Sequence, residues 1–201
     1  MDTLIKVIII IISIYLIFLF ISIPFAFYKR KVIRELFIKT VNFLNENNIT
    51  YWVDFGTLLG IHRDKDIILG DNDADICVPY DQEKKLLEAL QKSGNYFQKW
   101  KRMDWSAFRT YNSFFLTDLY LVANNTNQQI VEIPDSGDAP LNLLTNFENV
   151  KMPVGNEIVT FRQPTEWKNL LIFRYGKKWN ETTNKWYSGY LPILESKKPR
   201  N

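Results

Sequence analysis

Hydrophobic and polar positions alternate along this chain in three different ways. From Val7 to Phe27 no charged residue occurs, and almost every position is aliphatic or aromatic. At about 1.5 Å of rise per residue, a helix of that length crosses a hydrocarbon core of roughly 30 Å. The run exceeds the roughly 7–15 apolar residues of a signal-peptide core, and no small-residue cleavage pattern follows Pro24. An uncleaved single-pass anchor over residues 1–30 is therefore expected, followed by one domain over residues 31–201. In Lys31–Asn47 the pattern changes: Val32, Ile33, Leu36, Phe37, Thr40, Val41 and Leu44 recur near helical spacing. That predicts an amphipathic helix packed on a sheet and stopped by Asn45–Asn48.

Beyond Asn48 the apolar runs shorten and punctuation appears. Tyr51, Trp52, Val53 and Phe55 lead into Gly56-Thr57, which predicts a strand, a tight turn and a short helix from Leu58. Ile76, Cys77 and Val78 continue a second strand. Asp81–Ser93 reads as a helix capped by Asp81 and ended by Gly94. Tyr96–Val122 is rich in strand formers, and Asn124–Gln128 marks a hairpin turn. Pro134–Pro140 is a polar loop that could border a binding site. Phe147–Val159 predicts two short strands around Pro153 and Gly155; Thr165–Trp179 predicts a helix with Thr165 as cap and Gly176 at its end. Residues 186–201 read as a surface tail. Helices and strands in this order predict an α+β fold, a small mixed sheet with packed helices behind one transmembrane helix.

Composition narrows the choice of function. A net charge of +3 and the absence of a basic face with RNA-binding motifs give no sign of a nucleic-acid partner. Aromatic residues make up 15% of the chain, as in a packed domain rather than a disordered one. With one cysteine, Cys77, and one histidine, His62, neither an intramolecular disulfide nor a zinc site is supported.

The chemistry concentrates between Tyr51 and Val78. Residues at i and i+2 of a strand point to one face, so the Asp73 and Asp75 carboxylates would project together. Side by side they repel each other unless a cation lies between them, and a hard, oxygen-seeking ion such as Mg²⁺ (or Mn²⁺) relieves that repulsion. Asp71 adds a third acid nearby. Upstream, Gly56 and Thr57 place backbone N–H groups and a hydroxyl at a helix start, a common way to hold a phosphate. Taken alone, Gly-Asp-Asn-Asp reads equally well as a solvated turn before a strand. Arg63 can bind a phosphate bidentately or pair with Asp64 or Asp66; His62 beside it reads as a surface or structural residue. Asp118 interrupts the apolar run Phe114–Val122 and, if buried, needs a partner. It is the candidate third acid, either a metal ligand or the acceptor of a hydroxyl proton. Glu132 is its rival.

These residues carry a family resemblance. Gly56, Thr57, Leu58, Leu59, Gly60 and Arg63 resemble the G-T-L-L-G-x-x-R signature of the LicD/fukutin-type family, and Asp71, Asp73 and Asp75 match three of the four acids that follow it. Asn72 replaces the fourth, Leu69-Gly70 stands for the usual Pro-Trp, and Asp64-Lys65-Asp66 stands where Gly is usual. Tyr175, Gly176 and Trp179 resemble the family's closing block, after a strand pair with a Pro-Val step. The resemblance implies a nucleotidyltransferase-like fold and a metal held by Asp73, Asp75 and Asp118. It also implies Gly56, Thr57, Arg63 and Asp71 on the substrate side. The implied chemistry is transfer of a phospho-alcohol unit, of phosphocholine or alditol phosphate type, from a CDP-linked donor to a glycan hydroxyl.

Two other functions fit the same residues: a membrane-anchored pseudoenzyme or binding module, and a nucleotidyltransferase using NTP. The side of the membrane is also open. Lys6 alone precedes the apolar run, whereas Lys29, Arg30, Lys31 and Arg34 follow it, which places the domain in the cytoplasm by the positive-inside rule. Resemblance to eukaryotic members implies the Golgi or ER lumen, where the sequons at Asn48, Asn124 and Asn180 would be read.

Overall fold

In the computed structural model, residues 2–93, 97–102, 105–112, 115–133 and 137–181 are described. The expected tail at 186–201 and residues 134–136 of the polar loop lie outside them. The chain opens with one unbroken helix, α1 (Asp2–Glu46), so the anchor and the amphipathic helix are a single element, with Pro24 inside it. Its first half is apolar and largely exposed: from Ile8 to Ile21 every large hydrophobic but the half-buried Leu19 is exposed. Its second half carries a stripe at helical spacing, Ala26, Ile33, Phe37, Val41 and Leu44, buried to 6% exposure or less. That stripe packs against the sheet, which explains why helix formation does not stop where the apolar run ends.

After α1 come β1 (Trp52–Val53), α2 (Phe55–Asp64), β2 (Asp73–Pro79), a 3₁₀ turn at Tyr80–Gln82 and α3 (Glu83–Ser93). Next are β3 (Phe97–Arg102), β4 (Trp105–Asn112), β5 (Phe115–Asn125), β6 (Ile130–Glu132) and β7 (Ala139–Pro140). The chain then forms a hairpin of β8 (Phe147–Val154) and β9 (Glu157–Pro164), followed by α4 (Trp167–Tyr175). The main sheet runs β1-β2-β5-β4-β3, with β6 on β5 and β7 on β6. β2 and β5 are parallel; β1 with β2 and β4 with β5 are antiparallel. The fold is thus α+β with a mixed sheet, as expected.

Register divides the two central strands into unlike faces. Asp75 lies opposite Asp118 and Cys77 opposite Tyr120, whereas Ile76 lies opposite Leu119 and Val78 opposite Leu121. The second set is apolar and fully buried or nearly so; α1 packs on β2, β4 and β5, while α2 packs on β2 and α4 on α2.

Three local expectations change. The strand expected over Tyr51–Phe55 shortens to Trp52–Val53, because Asp54 caps a helix that begins at Phe55 rather than Leu58. Its carboxylate accepts the Phe55 N–H at 2.7 Å, and this cap outweighs the strand preference of the aromatic residue. The helix expected from Asp81 starts as a 3₁₀ turn and becomes α-helical at Glu83. Thr165 is not the cap of α4; its N–H and hydroxyl both reach Asn146 O, and Glu166 stands at the N-cap without a side-chain capping bond. Gly176 does end that helix, at φ 83°.

Candidate active site

The Asp54-Phe55-Gly56-Thr57 turn is the hinge of the site. Asp54, wholly buried, accepts hydrogen bonds from Phe55 N–H and from Trp52 Nε1 at 3.2 Å. Arg174 clamps it bidentately, Nε to Oδ1 at 2.8 Å and Nη2 to Oδ2 at 2.9 Å. Phe55 has φ 49°, a conformation uncommon for a bulky side chain and typical of over-determined functional turns. Two contacts hold it there: an edge-on Tyr120 ring at 5.9 Å and the Arg174 guanidinium 3.9 Å above its ring.

Gly56 faces the acids at close range. A Cβ at this position would lie 2.9 Å from Asp71 Oδ2 and 3.9 Å from Asp75 Oδ2, so the bare backbone lets the turn come this near to the carboxylates without displacing the Asp71 side chain. Thr57 is turned inward: its buried hydroxyl accepts the Asp75 N–H at 2.8 Å and ties α2 to β2. In this structure Thr57 is a brace under the acids, and the approach open to a phosphate is the Gly56 backbone at the start of α2.

Asp73, Asp75 and Asp118 share one face, with Asp75 and Asp118 directly paired in register. Asp118 is 2% exposed on a central strand, and Tyr120 Oη donates to its Oδ2 at 3.5 Å. Glu132 is not part of this group. It pairs with Ala123, five residues along β5 from Asp118, or about 16 Å at strand spacing, and its carboxylate accepts from Asn125 Nδ2 at 2.8 Å. The acid that lies opposite Asp75 is Asp118.

The electrostatics are those of a crowded anionic patch. Burial pushes the Asp75 carboxyl well above the usual range, and the charges of Asp73, Asp71, Asp118 and Asp54 push it further. Asp71 is raised by burial, against the opposing pull of the Asn72 N–H and of Lys29. The Tyr175 phenol is raised by burial and then by the Asp75 charge. Among the described residues no three His, Cys, Asp or Glu side chains already converge as a metal cage. The patch still fits a hard divalent cation: Mg²⁺ is commonly held by one or two carboxylates together with substrate phosphates, not by a dedicated protein cage.

Arg63 does not turn to the acids. It pairs with Asp64 through Nε at 2.7 Å and Nη2 at 2.8 Å, one of the two ion pairs its sequence context offers. Asp66 is taken by Arg34 at 2.7 Å and Arg30 at 3.1 Å. His62 stacks on Trp167 at 3.7 Å and bonds Gln163 at 2.8 Å, and burial lowers its pKa; it is a structural residue.

Four residues enter the site without having been singled out for it. Asp54 and Arg174 fix the turn, Tyr175 reaches the Asp75 field, and Lys29 of α1 donates to Gly70 O at 3.2 Å and to Asn72 Oδ1. The only advance signals were an Asp placed to cap Phe55-Gly56-Thr57 and an Arg beside Tyr175-Gly176. Of the polar loop, Gly137 O accepts from Arg174 Nη1 at 3.4 Å, so its described part does border the turn.

Comparison with known proteins gives three findings. Residues 48–134 match the model of the LicD/FKTN/FKRP nucleotidyltransferase domain. Over 56 residues the chain is 41% identical to the uncharacterized protein RP689 of Rickettsia prowazekii (strain Madrid E), a match covering 28% of this chain and 21% of that protein. It therefore spans about a fifth of that relative's length. Among solved structures, ANT(2'')-Ia in complex with adenylyl-2''-tobramycin is similar over 80% of this chain and 79% of its own, at 15% identity and a TM-score of 0.47. The lincomycin-bound lincosamide antibiotic adenylyltransferase LnuA is similar over 77% and 92%, at 14% identity and a TM-score of 0.43.

Proposed function

Residues 48–134 belong to the LicD/FKTN/FKRP nucleotidyltransferase domain family, and from that premise we propose that the chain is a membrane-anchored, metal-dependent transferase. It moves a phospho-alcohol unit, of phosphocholine or alditol phosphate type, from a CDP-linked donor to a glycan hydroxyl. The observation that carries this reading is the gathering of Asp71, Asp73 and Asp118 about Asp75, against the bare backbone of Gly56. Carboxylates that oppose one another's ionisation beside a helix N-terminus are relieved by a cation and by the polyphosphate it carries.

Asp73 and Asp75 would hold Mg²⁺ or Mn²⁺, which when bound neutralises charge on the donor's diphosphate. Gly56 lets the diphosphate approach the first turn of α2, where helix N–H groups lack intrahelical acceptors. Asp71 lies on the same side of that approach. Asp118, on the neighbouring strand, completes the acidic shell or orients the acceptor hydroxyl and takes its proton. Asp54, Arg174 and Thr57 keep this geometry fixed, which is how a site working by alignment and electrostatics has to be built. The apolar half of α1 anchors the protein in the bilayer; by length and composition it can cross a membrane.

The test is thermal stability of the full chain in detergent, with Mg²⁺, against CTP, CDP, CMP and CDP-linked alcohols. A cytidine-selective, metal-dependent rise that Asp73→Ala abolishes supports the transferase. No rise with any of them moves the chain to a pseudoenzyme or binding module, and pyrophosphate released from NTP, in place of CMP from a CDP-linked donor, identifies a nucleotidyltransferase.

A further inference from the structure

We propose that Lys29 is a positioning residue of the acidic site: from α1 it holds the Gly70–Asn72 loop, and through that loop it sets Asp71 and Asp73 for the cation. The inference rests on the metal-binding part of the proposed function and adds to it a residue from outside the sheet. A lysine is almost never fully buried unless its ammonium is satisfied, yet Lys29 is 5% exposed. Its Nζ donates to Gly70 O at 3.2 Å and to Asn72 Oδ1. Both acceptors are neutral, and both belong to the short loop that ends where β2 begins at Asp73. An aspartate at position 72 would accept the same bond but add to the crowding of charge. The amide of Asn72 does not, and Asp71 and Asp73 on either side of it lie within the field of the ammonium.

The loop that Lys29 grips is closely built. Gly70 has φ 98°, a left-handed conformation that suits glycine. Asp71 N–H donates to Ile68 O at 3.1 Å, and Asp71 Oδ1 accepts the Asn72 N–H at 3.1 Å. Arg30, the next residue of α1, donates from Nε to Ile67 O at 2.7 Å. If this loop turned, the Asp71 carboxylate would leave the Gly56 backbone that it now faces. Asp73 would move with it, because it opens the β2–β5 ladder opposite Leu116 and follows Asn72 directly. Charge and position have opposite consequences here. A fixed cation beside the acids repels a metal ion, so removing its charge alone would tighten metal binding. Losing the grip on the loop loosens it, since partners that orient metal-holding side chains are commonly worth about 10–100-fold in affinity. A positioning role therefore predicts a weaker site in a variant whose site is the more negative.

The experiment measures Mn²⁺ binding to the full chain in detergent, read from the electron spin resonance of the free ion. Lys29→Met should raise the Kd at least tenfold and Asn72→Ala at least threefold. The double variant should fall well short of the product of the two, because both remove the same contact. Lys31→Met is the control: its side chain is 64% exposed and paired with Glu35, and it should leave the Kd unchanged. A Lys29→Met protein that binds Mn²⁺ as tightly as wild type, or more tightly, overturns the inference. Should that variant fail to fold, Asn72→Ala decides alone, since Asn72 is exposed, and an unchanged Kd overturns the inference. If the wild type binds no Mn²⁺, the metal reading fails by itself, and hydrogen exchange decides whether Lys29 sets the loop. Amides of residues 67–75 exchanging at least tenfold faster in Lys29→Met, with those of α3 unchanged, keep it as the residue that positions Asp71 and Asp73. Exchange that is unchanged there, or faster everywhere alike, overturns that role.

Discussion

Replacing Arg174 by methionine isolates the energetic role of the clamp that fixes the active turn. The Asp54 carboxylate is wholly buried and the Arg174 side chain is 6% exposed, so neither charge is substantially solvated by water. Methionine keeps most of the aliphatic stem but leaves Asp54 with only neutral donors, Trp52 Nε1, Phe55 N–H and the weak Cys77 thiol. Breaking a buried pair from one side costs about 3–5 kcal/mol, because the remaining charge is uncompensated. Loss of the cation over the Phe55 ring adds on the order of 1 kcal/mol. Against a typical domain stability of about 5–15 kcal/mol, Arg174→Met should lower the urea midpoint of the full chain in detergent sharply. Tryptophan fluorescence is a suitable signal, since Trp52 stacks on Phe147 beside the clamp at 4.9 Å. Adding Asp54→Asn to Arg174→Met should restore at least half of the loss, because the buried charge is then gone. A loss under about 1 kcal/mol for the single variant, or no recovery in the double, would refute the view that the pair carries a desolvated charge.

Other outcomes follow from the acidic patch and its surroundings. Asp75→Asn should abolish turnover yet raise thermal stability at neutral pH, since it removes the charge most opposed by burial and by its neighbours. The folded carboxyl titrates above the unfolded one, so the wild type loses stability as pH rises from the ordinary carboxylate range through the folded value; the gain from Asn should vanish near pH 4 in melts taken across pH. Mn²⁺ should stabilise the protein more at pH 8 than at pH 5, as protons and cation compete for the same oxygens; an equal rise at both would place the metal elsewhere. Gly56→Ala should change the melting temperature little, because its Cβ meets only the end of the Asp71 side chain, while activity falls at least tenfold. A neutral effect on rate would mean that the turn does not approach the donor. Burial depresses the His62 pKa, so stability should fall as pH drops below the unfolded value near 6.5, and His62→Phe should flatten that part of the curve.

Much of the site was legible because strand periodicity is strict. The spacing of Asp73 and Asp75 fixed their common face, and the placement of Asp118 within an apolar run marked it as an acid in need of company. Choosing between Asp118 and Glu132 required register, which local pattern does not encode: one acid lies opposite Asp75, the other about 16 Å along the strand beside Ala123. The propensity of Phe55 favours a strand, and the Asp54 cap and its partner Arg174, a contact across 120 residues, override it. The cations after the apolar run read as membrane-flanking charge, and three of them are bonded to the Asp66–Asn72 loop. Composition could not distinguish those uses, since a lysine at a lipid surface and a lysine inside a loop look alike in sequence.

The continuity of α1 also governs how this protein can be turned over. A membrane enzyme on a flexible stalk can be shed by a protease that clips the stalk, leaving a working soluble form. Here the first residues beyond the apolar run are already part of the fold: Lys29 is 5% exposed, Val32 7% and Ile33 wholly buried. A sheddase would find its cleavage site only after the helix had peeled from the sheet, and the fragment released would lack the residues that hold the loop before Asp71. On the proposed anchoring and activity, function in a cell should therefore rise and fall with the intact chain, and be ended by complete degradation and not by release.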